Sequence, residues 1–144
     1  MRYYTGVGSR STPEVVLSAM TAYAVIKARQ GWILRSGGAE GADEAFYVGA
    51  MKAGGSFEIY LPWKVFGYGR RERLEEPGFF TPPILTKSDM SQYLDPDHLD
   101  RVFESQTFAA LHSRNVYQVL GQDLKTPSEM VVCWTEGGKL IGGT

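Results

Sequence analysis

The sequence predicts an α/β fold, a three-layer sandwich in which helices cover both faces of a mostly parallel sheet of about four or five strands. Strand-like and helical segments alternate through residues 2–61, and this order requires right-handed crossovers between parallel strands. Glycine-rich loops follow the predicted strands. The chain has 144 residues, 43% hydrophobic and 22% charged, which is typical of one globular domain. We therefore treat residues 1–144 as a single domain.

The first part of the chain predicts three strands and two helices. We expect strands at residues 2–7, 32–34 and 57–61, because each is a short β-prone run that ends beside turn-forming residues. A helix follows the first strand, with Thr12 as its N-cap. Its buried face is expected to consist of Val16, Ala19, Met20, Tyr23 and Ile26, at helical spacing. A second helix is expected from about Ala42 to Ala53.

The second part of the chain is less regular. Residues 62–96 hold five of the seven prolines, and we interpret this stretch as an insertion that serves as a lid or a binding loop. Asp95 caps a helical region that continues, as one helix or two, to Gly121. A further strand from Met130 to Trp134 places Cys133 in a buried apolar position.

The composition argues against several classes of function. No run approaches the ~20 apolar residues of a membrane span, and the first residues are not those of a signal peptide, so we expect a cytoplasmic protein without a membrane partner. The lone Cys133 cannot form an internal disulfide, which agrees with a reducing compartment. The formal net charge of −1 disfavours broad nucleic-acid binding. His98, His112 and Cys133 have no recognised metal-binding spacing, so neither a metal nor a cofactor is expected.

Three glycine-rich loops form the candidate site. The carboxyl ends of parallel strands meet at one edge of a sheet, and ligands bind there. Glycine lets the backbone approach a phosphate, and the N–H groups of the following helix face the anion. The candidate ligand- or phosphate-binding residues of these loops are Gly8, Ser9, Arg10, Ser36, Gly37, Gly38, Ala39, Gly41, Asp43, Gly142, Gly143 and Thr144. The alternative is that the loops are only tight turns.

Other polar residues near the loops have two interpretations each. Asp43 either accepts hydrogen bonds from a ribose or polarises a water, or it only stabilises the first turn of its helix. Arg114 and Asn115 lie in a polar stretch of an amphipathic helix. If that helix leads back to the sheet edge, Arg114 reaches a phosphate and Asn115 a base or a ribose. A helix side that faces solvent explains both residues equally well.

The insertion combines aromatic and basic residues. These are Trp63, Phe66, Tyr68, Arg70, Arg71 and Arg73. Aromatic rings interleaved with arginines either stack on bases and clamp single-stranded nucleic acid, or form a packed lid or a subunit contact. Neighbouring glutamates cancel most of the positive charge, which favours the packed lid or contact.

Two of the loops resemble a known superfamily. Gly8-Ser9-Arg10 and Ser36-Gly37-Gly38-Ala39-x-Gly41-Ala42-Asp43 look like the Rossmann domain of DNA-processing protein A (DprA) and its relatives in the SLOG superfamily, which includes the lonely-guy (LOG) phosphoribohydrolases. Gly142-Gly143-Thr144 is similar to the third loop of that family. The resemblance covers nearly the whole chain apart from the insertion. It implies a Rossmann-like fold that binds nucleotide phosphates or, in DprA itself, single-stranded DNA.

The chain also departs from that family. LOG enzymes carry a glutamate in the helix after the third loop, and the sequence stops at Thr144, so we expect that C-terminal helix to be missing. Our first hypothesis is a sensor or sequestering module that binds a nucleotide or a nucleotide-derived small molecule. The alternatives are a LOG-type nucleoside monophosphate phosphoribohydrolase and a DprA-like module for single-stranded DNA. A homodimer is also expected, because sheet surface left uncovered by a helix attracts a partner.

Overall fold

The protein is built on an all-parallel sheet with helices on both faces, as the sequence predicts. The structure, a computed structural model, describes residues 1–67 and 76–139. The strands are β1 (Arg2–Gly6), β2 (Trp32–Ser36), β3 (Phe57–Tyr60), β4 (Phe79–Phe80) and β5 (Met130–Val132). The helices are α1 (Glu14–Arg29), α2 (Ala42–Lys52), α3 (Lys87–Met90), α4 (Pro96–Val102) and α5 (Gln106–Leu120). None of the helices within these ranges is both long and apolar enough to cross a bilayer.

The strand order is β4-β3-β2-β1-β5, and every pairing is parallel. The chain moves outward from β1 to β4, and the segment with α3, α4 and α5 then returns it to β5 on the other side of β1. Strand order therefore reverses between β1 and β5. In open α/β sheets this point is where ligands bind, outside the carboxyl ends of the strands.

Two cores hold the layers together. On one face, α1 and α2 pack on the sheet and on each other, and a Cβ at Gly49 would collide with the Thr21 carbonyl of α1. The fully buried residues of this core include Tyr4, Leu34, Phe46 and Ile59. On the other face, Tyr117 of α5 stacks on Tyr60 of β3, with ring centroids 6.0 Å apart. Each large side chain buried in this way contributes about 1.5–3 kcal/mol.

The predicted details of α1 are partly wrong. The helix begins at Glu14 with Pro13 at the N-cap, and Thr12 instead donates a hydrogen bond from its hydroxyl to the carbonyl of Ser9 (2.7 Å). Ala19 and Ile26, which we expected to be buried, are exposed. The reason is that the face of α1 that meets the sheet and α2 is centred on Met20, as predicted, and on Ala24, which was not predicted.

The second part of the chain adds elements that the sequence did not reveal. The insertion contains β4, which extends the sheet beyond β3, and the short helix α3. The helical region is two helices, and Asp95 caps the first of them as predicted, accepting hydrogen bonds from two backbone N–H groups. The prediction for Cys133 is wrong: β5 ends at Val132, and the thiol is exposed beyond the edge strand.

Candidate functional site

A cavity of about 620 Å³ opens at the carboxyl end of β1, where strand order reverses. This volume lies within the range of about 300–1,000 Å³ that is typical of small-molecule sites. Most of its lining comes from three parts of the chain that are distant in sequence: residues 7–11 after β1, Ala39 and Asp43 just before and within the start of α2, and the side of α5 that faces the sheet. The lining is completed by Thr5, Phe66 and Val131. The cavity therefore lies at the edge that the sequence predicts.

The loop after β1 forms the outer wall, and three of its candidate residues, Gly8, Ser9 and Arg10, line the cavity. The Ser9 hydroxyl accepts a hydrogen bond from the N–H of Ser11 (2.9 Å), which holds the loop as a tight turn. Arg10 is exposed at the rim. The backbone N–H groups of Ser9 and Arg10 form no hydrogen bond with any other described residue. This wall thus offers two backbone donors and one guanidinium.

The start of the second loop is buried beneath the cavity. The Ser36 hydroxyl donates to the carbonyl of Gly6 (2.6 Å), and the Gly37 carbonyl accepts a hydrogen bond from Nη1 of Arg114. Gly38 has a φ of +74°, and a Cβ there would collide with Leu61. Ser36, Gly37 and Gly38 do not line the cavity, so in the structure they join the second loop to β1, α5 and β3.

Glycine also lets the first two loops approach each other. A Cβ at Gly8 would lie 2.7 Å from that of Ala42, and a Cβ at Gly41 would lie 2.8 Å from the Cα of Arg10. Gly41 also has a φ of +83°, which favours glycine. These close contacts, with a side-chain methyl at Gly8 and with the backbone at Gly41, account for both glycines without a ligand.

Asp43, one of the predicted site residues, lies between the first two loops. Its carboxylate is buried, with 4% of the residue exposed. One oxygen accepts a hydrogen bond from the N–H of Gly8 (3.3 Å) and the other from the N–H of Ala39 (3.2 Å). Burial raises the pKa of the Asp43 carboxyl from 3.8 to about 6, although the Arg114 guanidinium and the backbone N–H groups act in the opposite direction. The Asp43 carboxylate thus bridges the two loops and places a negative charge in the first turn of α2.

The side of α5 toward the sheet forms the inner wall, so Arg114 and Asn115 lie at the sheet edge rather than on a solvent-facing side. Arg114 is 8% exposed, and its guanidinium carbon lies 5.1 Å from the ring centroid of Phe66. The side-chain oxygen of Asn115 accepts hydrogen bonds from Nε of Arg114 (3.1 Å) and from Nε2 of Gln118 (3.4 Å). These contacts leave the amide NH₂ of Asn115 as the group it can offer to a ligand.

Sequence analysis did not assign His112 and Gln118 to the site and named Phe66 only as an aromatic residue of the insertion, and all three line the cavity. The pKa of His112 is lowered by burial, by Arg114 and by His98, so its imidazole is neutral at pH 7. Both polar residues are three positions from Asn115, and residues at this spacing share one side of a helix. That spacing was the signal that could have revealed them.

Part of the predicted site lies outside the described residues. Gly142, Gly143 and Thr144 of the third loop belong to this part, and so do Tyr68, Arg70, Arg71 and Arg73 of the insertion. Within the described ranges, His, Cys, Asp and Glu side chains form no group of three or more that could hold a metal ion.

The fold and the cavity together define a parallel α/β protein with an open cleft at the reversal of strand order. Comparisons with protein-family models, with curated proteins and with solved structures find no match for this chain. The argument for function therefore depends on the chemistry of the cavity itself.

Proposed function

We propose that the chain binds a nucleotide or a nucleotide-derived small molecule in this cavity and acts as a sensor or sequestering module. One observation carries the proposal. The cavity at the strand reversal combines two guanidinium groups, of Arg10 and Arg114, with the single carboxylate of Asp43 among its described lining residues. An excess of positive charge in a concave site of this size favours a small anion.

The phosphate of the ligand is expected at the outer wall rather than at the start of α2. Asp43 already accepts the N–H groups of Gly8 and Ala39, and its negative charge would repel a second anion there. The N–H groups of Ser9 and Arg10 follow that of Gly8 in the same loop, form no hydrogen bond with any other described residue, and lie beside the exposed Arg10 side chain. Hydrogen bonds from these donors to a phosphate are charge-assisted and therefore strong.

The inner wall suits the rest of a nucleotide. The amide groups of Asn115 and Gln118 offer hydrogen bonds to a ribose or to the edge of a base. Apolar side chains, Leu111, Val119 and Val131, line the same cavity and provide a surface for the face of a base. The site thus combines a charged rim with an amphipathic interior, which matches the two halves of a nucleotide.

A thermal-shift screen of the purified protein tests the proposal, using nucleotides, dinucleotides, cyclic nucleotides and short single-stranded DNA. A ligand at 100 times its Kd stabilises the protein by about 2.7 kcal/mol, which gives a shift of several degrees. Arg10→Ala should weaken binding at least about tenfold, or about 1.4 kcal/mol, through loss of the charge-assisted contact. Arg2→Ala is the matched control, because Arg2 lies at the amino end of β1, and the cavity is at the carboxyl end.

Each other outcome of the screen has a defined meaning. Absence of a shift with every small molecule contradicts the proposal. A shift with single-stranded DNA alone favours the DprA-like alternative, for which the arginines of the insertion were the sequence signal. Equal weakening by Arg10→Ala and Arg2→Ala would show that the effect of charge is not local to the cavity.

A hydrolytic function is the second candidate, and Asp43 is the observation in its favour. A carboxyl with a pKa of about 6 that lines a cavity is typical of groups that exchange protons with a substrate near neutral pH. Incubation with AMP and related monophosphates, followed by chromatography for free base, tests this candidate. Failure to release base from any of them would eliminate it and leave the binding proposal intact.

A further inference from the structure

An exposed apolar stripe runs along α1 and is separate from the cavity. Val15 is 79% exposed and Ile26 is 53% exposed, and the two residues between them on this side, Ala19 and Ala22, are exposed as well. Their spacing of four, three and four positions places them on one side of the helix, over a length of about 16 Å. A helix side that faces water is normally polar, so this stripe requires an explanation.

The stripe is complementary to itself. From either end it presents one large side chain, then two alanines, then another large side chain. If two copies of α1 pack antiparallel about a two-fold axis, Val15 meets Ile26 of the second copy and Ala19 meets Ala22 of the second copy. The small central residues allow two helices to approach to about 8 Å. A surface that matches itself in this way is what a two-fold dimer requires.

The charges at the ends of α1 select the antiparallel arrangement. Glu14 lies in the first turn and Arg29 in the last turn, and both are exposed, whereas Lys27 of the last turn lies over the rings of Tyr23 and Trp32. Antiparallel packing brings the acidic turn of one helix beside the basic turn of the other and also opposes the two helix dipoles. A parallel arrangement would instead place like charges together.

We propose that α1 is the interface of a homodimer, in which two copies of the chain pack antiparallel through Val15, Ala19, Ala22 and Ile26. No residue of α1 lines the cavity, so the proposed interface and the proposed ligand site use different residues. A single pair of helices buries a small area, and we therefore expect a dimer that dissociates on dilution.

Sedimentation velocity over a wide range of protein concentration tests this interface. The wild-type protein should shift from monomer to dimer as the concentration rises. Ala19→Glu places a carboxylate against Ala22 of the second copy and should abolish the dimer, while thermal unfolding confirms that the variant is folded. Thr107→Glu adds the same charge to an exposed position of α5 and should leave the dimer unchanged.

A compensating variant makes the test specific for the antiparallel arrangement. Ala19→Glu combined with Ala22→Lys places opposite charges across the two-fold axis and should restore the dimer. A wild-type protein that stays monomeric at every concentration would overturn the proposal. A dimer that persists in the Ala19→Glu variant would equally overturn it, since the contact would then lie on another face.

Discussion

The buried carboxylate of Asp43 makes a quantitative prediction about stability and pH. Its pKa is raised from 3.8 to about 6 in the folded protein, so the folded state binds this proton more tightly than the unfolded state does. The free energy of unfolding must therefore fall as the pH rises from about 4 to about 6. One pKa unit corresponds to about 1.4 kcal/mol, and the shift of about two units gives a loss of roughly 3 kcal/mol.

Asp43→Asn removes this dependence, because asparagine is neutral at every pH. Urea unfolding of both proteins at several pH values measures the effect. Between pH 4 and pH 7 the wild-type protein should lose roughly 2.5 kcal/mol of unfolding free energy relative to the variant, because part of the loss has already occurred at pH 4. A difference between the two proteins that stays constant with pH would refute the reasoning. A wild-type protein that gains stability over this range would show that Arg114 and the backbone donors outweigh burial.

Two further predictions concern positions that do not line the cavity. Gly54→Ala should cost about 1–2 kcal/mol of unfolding free energy through its φ of +66° alone, because the space around Gly54 is open. Gly38→Ala should cost more, because its methyl group would also collide with the buried Leu61. Equal losses of unfolding free energy for these two glycine variants, measured by urea unfolding, would refute the collision at Gly38. Arg35→Met should cost about 3–5 kcal/mol, because it removes the buried guanidinium whose Nε lies 2.8 Å from Oε1 of Glu58 and leaves that carboxylate without its ion-pair partner. Arg2→Met, at an exposed ion pair, should cost at most about 1 kcal/mol, and similar losses for both variants would contradict the role of burial.

The sequence was sufficient for the central sheet and its connections, because local patterns define those elements. Short apolar runs separated by helical segments predicted β1, β2 and β3 and their parallel pairing. The two-residue strand β4 left no local pattern, since its pairing with β3 depends on how the insertion packs. The buried side of α1 was also ambiguous, because Ala19 and Ile26 are as apolar as the buried Met20 and Ala24.

The candidate site was only partly predictable, because its geometry depends on long-range contacts. The glycines indicated close backbone approach correctly, but their pattern could not distinguish a ligand from another loop. The bridge from Asp43 to Gly8 spans 35 positions and follows from the meeting of two separate loops. The placement of Arg114 depends in turn on how α5 packs across the sheet, which the helical pattern alone does not determine.

The central claim is that the loop after β1 and the inner side of α5 form one ligand site. Isothermal titration calorimetry with the most stabilising small molecule, on the wild-type protein and on Arg10→Ala and Asn115→Ala, tests it most directly. The two residues lie on opposite walls of the cavity. If the claim is right, the wild-type protein binds one ligand per chain and each variant weakens the affinity at least about tenfold. Unchanged affinity in both variants would place the ligand elsewhere and contradict the claim.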